Sequence, residues 1–277
     1  MYNTATFNKA LYGIGAFSIN KTSNCFTVKL MKSFPWHAQG KLKNPIVGDR
    51  VSFAFTMYNH FGFRYVECKN SFMEHVNVYT TGGMGIRIDG GTNMYLNHLA
   101  FRQKETSKRI MTCTADIIHS IALEGDLKIS NTLLESSHDD AMNIKSYYCN
   151  ITDVAKGTRT LSVSQTQNEV TVKFADGDTI DVYDKKNMTL VDSFKVITAT
   201  KNGKNYDLVL DHRPSDITTD FVVANDTKST HLMLYNSILR NKRNRGALIQ
   251  TRYTNIVNCT FYNVIMGTLQ LLTLANS

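Results

Sequence analysis

Asn131-Thr132-Leu133-Leu134, a polar residue leading a short apolar alternation, recurs along the chain as His75-Val76-Asn77-Val78, His98-Leu99-Ala100-Phe101, Asn236-Ser237-Ile238-Leu239 and Asn258-Cys259-Thr260-Phe261. The five anchors are separated by 23, 33, 105 and 22 residues. Short strands that return roughly every 20 to 25 residues, with Asn and Gly at the turns, predict an all-β fold: a right-handed parallel β-helix whose coils hide their inner faces only by stacking on one another. The two long spacings predict coils that carry inserts.

The longer insert falls between Asn150 and about Thr230, where the pattern changes. Val170–Phe174, Thr179–Tyr183, Ser193–Ile197 and Leu208–Leu210 read as antiparallel strands, with turns at Ala175-Asp176-Gly177-Asp178 and Lys201-Asn202-Gly203-Lys204. The expected organisation is therefore a discontinuous β-helix, residues 1–149 and 231–277, interrupted by a small β-barrel-like subdomain at 150–230. Asp176, Asp178 and Asp181 read as a solvated hairpin, because no Gly-then-Glu completes a calcium loop.

Nine residues after the anchors the register reaches Met84, Asp140, Arg245 and Gly267. If the extra residues of the second coil lie before its next strand, that coil supplies Asp116. Equivalent positions on adjacent coils lie about 4.8 Å apart, so Asp116, Asp140 and Arg245 form a ladder, with Asp139 next to it. Stacked carboxylates repel, which forces at least one pKa upward, and a raised carboxyl beside an ionised one is what acid and base roles require. The same register puts Arg243 beside His138. His119 and Asn143, also 24 residues apart, lie one above the other near the acids. They suit either hydrogen bonds to sugar hydroxyls or a ladder that stiffens the turn.

Ala115-Asp116-Ile117-Ile118-His119, then Ser137-His138-Asp139-Asp140-Ala141-Met142-Asn143-Ile144, then the run from Asn241 to Gly246 with Ala247-Leu248-Ile249, resemble glycoside hydrolase family 110. The resemblance extends from Val47-Gly48-Asp49 through Gly83-Met84-Gly85-Ile86. It implies a β-helical exo-α-1,3-galactosidase, with a barrel inserted in the helix. It further implies that Asp116, Asp139 and Asp140 form the catalytic carboxylates, acting with inversion and with no metal or cofactor. Its substrate is a carbohydrate, a terminal α-galactoside, and it implies an extracellular or periplasmic site of action. His119, His138, Asn143, Arg243 and Arg245 are then the candidate substrate contacts. The chain is short for that family, which implies a divergent member or a fragment.

Composition narrows the field. No run of 18 apolar residues and no leader pattern occurs, so neither a membrane span nor a signal peptide is expected. The net charge of +8 allows an acidic partner. However, the basic run Arg240–Arg245 falls beside the acids, and no helix-turn-helix, zinc finger or aromatic RNP motif accompanies it, so nucleic acid is not an expected partner. Cys25, Cys68, Cys113, Cys149 and Cys259 are odd in number and scattered, which predicts small buried residues rather than a zinc site or disulfide framework. Trp36, between Pro35 and His37, reads as a sugar platform or as core packing. Gly82-Gly83-Met84-Gly85 reads as a coil turn. Two other readings remain open: a polygalacturonase-like hydrolase or lyase acting on an acidic glycan, and a non-catalytic glycan-binding β-helix. The sequence does not indicate an oligomeric state.

Overall fold

The computed structural model describes residues 58–165 and 172–272, together with the strand backbones of Thr4–Phe7, Phe17–Thr22, Cys25–Leu30 and Arg50–Phe53. The Trp36 segment, Val47-Gly48-Asp49 and Val170 lie outside the described residues.

Successive coils deliver one strand to each of three parallel sheets, which makes the molecule a parallel β-helix. The first sheet holds, in order, Gly267–Leu271, Arg245–Gln250, Met142–Lys145, Ile118–Ile121, Met84–Asp89 and Phe61–Val66. The second holds Tyr253–Val257, Thr230–Tyr235, Glu124–Ser130, Thr92–Asn97 and Lys69–Glu74. The third, of shorter strands, holds Thr260–Val264, Ile238–Lys242, Leu133–Glu135, Ala100–Phe101 and Asn77–Val78. Among the described residues no helix is long and apolar enough to cross a membrane.

Alternation does the packing. Ile86 and Ile88, Ile118, Met142 and Ile144, and Ala247 and Ile249 point inward from the first sheet and meet Met94, Leu96, Leu127, Ile129, Leu232 and Leu234 from the second. Phe101, Leu134 and Leu239 close the third side. Fully burying each large side chain contributes about 1.5–3 kcal/mol, and no coil can collect that gain alone.

The sequence anchors sit at one corner. His75, His98, Asn131, Asn236 and Asn258 all adopt left-handed backbone, with φ between 47° and 54°, in the two-residue turns joining the second sheet to the third. An L-residue there costs roughly 1–2 kcal/mol, least for Asn. Neighbouring coils offset that cost: Asn258 Nδ2 donates to Asn236 Oδ1 at 2.7 Å, Asn131 Nδ2 donates to Asn97 Oδ1 at 2.9 Å, and the His75 and His98 rings stack at 4.7 Å.

Between Lys145 and Thr230 the chain leaves the helix and forms a closed six-stranded antiparallel barrel of Tyr148–Val154, Thr160–Gln165, Asn205–Leu210, Leu190–Asn202, Thr179–Asp184 and Phe221–Asn225. Gly177 and Gly203 supply the positive φ of its two expected turns. One expected strand is corrected. Val172 to Phe174 is not a strand: Val172 and Phe174 are buried in the barrel, but side chains satisfy the backbone, Gln165 Oε1 accepting the Val172 N–H at 2.7 Å and Asn225 Nδ2 donating to the Lys173 carbonyl at 2.9 Å. The cysteines also differ in part from expectation. Cys113 and Cys149 are buried, but Cys68 is exposed and Cys259 half-buried.

Candidate active site

The corner where the third sheet hands the chain back to the first holds the acids. Ile86, Ile118, Met142, Ala247 and Leu269 pair across successive coils, so the positions two residues earlier, Met84, Asp116, Asp140, Arg245 and Gly267, form one column. Asp116 enters it because the surplus of the second coil lies within the connection 102–117, before the strand Ile118–Ile121. Asp116, Asp139 and Asp140 each bring an oxygen within 4.8 Å of the others.

The three acids have different surroundings. Asp116 is 2% exposed. One of its oxygens accepts the Asp140 N–H at 3.0 Å, and the other is 2.6 Å from His119 Nδ1 and accepts a long bond from Asn143 Nδ2 at 3.4 Å. Asp139 accepts one hydrogen bond from the Tyr58 hydroxyl and another from the Asn244 amide. Asp140 accepts the Arg245 N–H at 3.0 Å, with the Arg245 guanidinium 3.3 Å away. Arg245 is itself held by Gln270.

Burial dominates the electrostatics. It pushes the Asp116 carboxyl up to about 8, helped by the negative charge of Asp139. It pushes Asp140 up to about 7, helped by Asp116 and Asp139. His138, 2% exposed, is pushed down to about 4 by burial and then by Arg243 and Lys242. A protonated carboxyl beside a charged one at neutral pH is a proton donor paired with a proton acceptor.

All three expected catalytic acids are in this cluster, as are His119 and Asn143, which are register partners, whereas Asp178 and Asp181, expected in a solvated hairpin, are buried in the barrel. Arg245 contacts Asp140, and Arg243 reaches His138 through its charge. Tyr58 and Arg87 are absent from the sequence reading, and Lys242 and Asn244 enter it only within the runs Asn241 to Gly246 and Arg240–Arg245, with no role of their own. Asn244 and Lys242 had a signal, since each lies 105 residues beyond a residue of the acid corner, Asp139 and Ser137. Arg87 pairs with His119 across the first sheet and bonds Asp89, which Arg64 also bonds at 2.8 Å. Tyr58 has no counterpart in the repeat, so nothing in the register pointed to it.

A groove of about 510 Å³ lies at a different corner, lined by His75, His98, Asn131 and Asn236. It presents the stacked His75 and His98 rings and the turn asparagines but no carboxylate, so it lacks a carboxylate pair. Among the described residues, Asp116, Asp139 and Asp140 are the one trio of His, Cys, Asp or Glu side chains whose ligand atoms all come within 4.8 Å of one another.

No protein-family model matches the chain. It is similar to proteins named α-1,3-galactosidase A. Identity to that of Akkermansia muciniphila is 29% over 205 residues, 72% of this chain and 34% of that protein. For the Streptomyces avermitilis protein it is 26% over 199 residues, 67% and 32% of the two chains, and for the Shewanella woodyi protein 23% over 233 residues, 82% and 38%. The chain spans about a third of the length of these curated relatives. The similarity agrees with the resemblance carried by the motifs.

Proposed function

We propose that this chain carries the carboxylate centre of a glycoside hydrolase that removes terminal α-linked galactose, in the manner of the α-1,3-galactosidases it resembles. The observation that carries the reading is the cluster itself: three aspartates from adjacent coils, two of them retaining protons to about pH 7 and 8. Asp140 donates the proton to the departing glycosidic oxygen, and Arg245 fixes its carboxyl. Asp139, held by Tyr58 and Asn244, is the acceptor that activates water. Asp116 bonds His119, Asn143 and the Asp140 N–H, so its charge state tunes those of Asp139 and Asp140. His138, Arg243 and the His119–Asn143 pair face the sugar hydroxyls.

Inversion is the stereochemistry that the resemblance supports. Inverting pairs have carboxyl groups about 6.5–9.5 Å apart to admit water and retaining pairs about 5–5.5 Å; the approach of single oxygens within 4.8 Å does not choose between them, so the product anomer decides. The test is hydrolysis of α-1,3-linked galactosides followed by proton NMR of the first-formed sugar. β-Galactose supports inversion, α-galactose supports retention with Asp139 as nucleophile, and no galactose from any α-galactoside sinks the proposal. The reading uses no metal, so EDTA should leave the rate unchanged. Loss of cleavage of an acidic glycan on chelation, restored by calcium, would instead favour a lyase.

A further inference from the structure

Lys242 is out of place for its position. It is the last residue of Ile238–Lys242, paired with Val264 of the next coil, and the register stacks it on Ser137, which itself bridges to Cys113. Small residues fill that inner corner in the other two coils, and here a four-carbon chain with an ammonium fills it. Lys242 is 1% exposed, and Nζ makes no hydrogen bond to any described residue. Its surroundings are charges and titratable groups: Asp116, Asp139 and Asp140 of the cluster, together with Cys113 and His138. Ser137 ties the corner to the acids, its hydroxyl donating to the Asp139 carbonyl at 2.9 Å and the Asp140 carbonyl at 3.2 Å.

We propose that Lys242 is the built-in counter-ion of the aspartate cluster, a positioning residue that sets how many protons Asp116, Asp139 and Asp140 share without touching substrate. The inference deepens the hydrolase reading and rests on it for its catalytic consequence. A buried cation without a hydrogen-bond acceptor is tolerated where the field of several carboxylates replaces lost hydration. In return it lowers the cost of ionising them. Arg245, which bonds Asp140 directly, fixes one carboxyl; Lys242 acts on all three through its charge. Burial leaves the ammonium itself easier to deprotonate, at about 8, with the carboxylates and Cys113 opposing that fall. The lysine and the acids therefore exchange charge in the same pH range.

The test is carboxyl carbon-13 NMR titration of Asp140 in the full chain and in Lys242→Met, which keeps the volume and removes the charge. An opposite charge at close range depresses a carboxyl by about 1 to 3 pH units. The Asp140 midpoint should thus rise by about one unit or more in the variant, and the pH–activity profile should move alkaline with it. Lys242→Gln should do the same. A merely structural lysine would change stability and leave the Asp140 midpoint within a few tenths of the original, which would overturn the proposal. Should neither variant fold, nitrogen-15 titration of Nζ in the unaltered protein decides. An amine titrating at its ordinary 10.5 and insensitive to Asp140 overturns it, and a depressed midpoint that moves in Asp140→Asn supports it. The NMR readout needs no turnover. A shifted midpoint in a protein that hydrolyses no galactoside leaves Lys242 as counter-ion and removes the hydrolase. An unmoved midpoint in an active enzyme removes only the counter-ion.

Discussion

Asp140 and Asp139 are adjacent in sequence and opposite in partnership, one held by a guanidinium and a backbone N–H, the other by a phenol and an amide. General acid–base groups contribute typically about 100- to 10,000-fold each. Asp139→Asn and Asp140→Asn should each lower kcat on an α-galactoside by at least about 100-fold with an unchanged circular dichroism spectrum; near-normal turnover in both would remove the carboxylate mechanism. Activity should also fall on the alkaline side, as Asp140 loses its proton near 7. Stability follows the same groups. Asp116 and Asp140 hold protons more tightly folded than unfolded, so their contribution is complete below the ordinary 3.8 and is lost as pH rises through about 7 and 8. His138, depressed from 6.5 to about 4, contributes above 6.5 and is lost as pH falls; Lys242, depressed from 10.5 to about 8, contributes above 10.5 and is lost by 8. The interval from pH 6.5 to 7.5 therefore reports mainly the acids. The melting temperature should drop across it, and Asp116→Asn should flatten that drop; an equal slope in both proteins would mean Asp116 is ionised throughout. The column of acids was legible in the sequence because a fixed offset from each anchor is a geometric statement. Tyr58 was not, because it reaches Asp139 from outside the repeat.

At the scale of elements, the turn and the strand start are the tight points. Asn131 carries φ 53° and an amide bond to Asn97, so Asn131→Ala loses both and should cost about 1–2 kcal/mol in urea unfolding. Asn131→Gly keeps the backbone freedom and loses only the amide, so it should cost less. The reverse order would show that the ladder, not the backbone, holds the corner. Gly246 follows Arg245, and a Cβ there would lie 2.3 Å from the Thr268 carbonyl oxygen and 2.8 Å from Phe261. Gly246→Ala should cost about 1–3 kcal/mol by overpacking, and should weaken turnover as well by displacing Arg245 from Asp140. Full activity at a lowered melting temperature would uncouple the two. The helix strands could be read because their apolar residues alternate around an anchor. Tyr148–Val154, Thr160–Gln165 and Phe221–Asn225 went unread, although Thr160–Gln165 alternates Leu161 and Val163 with Thr160, Ser162 and Ser164 and Phe221–Asn225 lies between the turn residues Pro214-Ser215-Asp216 and Asn225-Asp226-Thr227. Each is short, with only two or three apolar residues on its buried face. Val172 to Phe174 had the right composition but lacked ladder partners.

At the scale of the whole molecule, the barrel is an excursion from an unbroken register. Ile121 pairs with Lys145 and Gly125 with Thr230, so three residues in one coil do the work that 146–229 do in the next. Replacing 146–229 by three Gly or Ser residues brings Arg245 to 24 residues beyond Asp140, the same period that separates Asp116 from Asp140. The shortened chain should keep its β-sheet spectrum and a single cooperative melt. It should melt lower, because Ile121 packs into the barrel core and Arg252 bonds Asp181 across the junction. Aggregation, or a melt without cooperativity, would show that the barrel belongs to the helix core.

The 105 residues that separate Asp140 from Arg245 are also an interval of time. Synthesis at about 5–20 residues per second delivers Arg245 some 5–20 s after its partner. Antiparallel hairpins such as Leu190–Asn202 with Asn205–Leu210 close in about 1–10 µs, and β-rich domains complete in milliseconds to seconds. The barrel can therefore be finished while the strand Met142–Lys145 still waits for Arg245–Gln250, its neighbour on that side. Ribosome-bound chains stalled near residue 265, with Phe221–Asn225 just outside the exit tunnel and Lys242 and Arg245 still within it, should already resist protease across the barrel strands. Until Lys242 and Arg245 emerge, the nascent protein holds three aspartates with neither of these cations beside them, so the chemical centre is assembled only after the barrel.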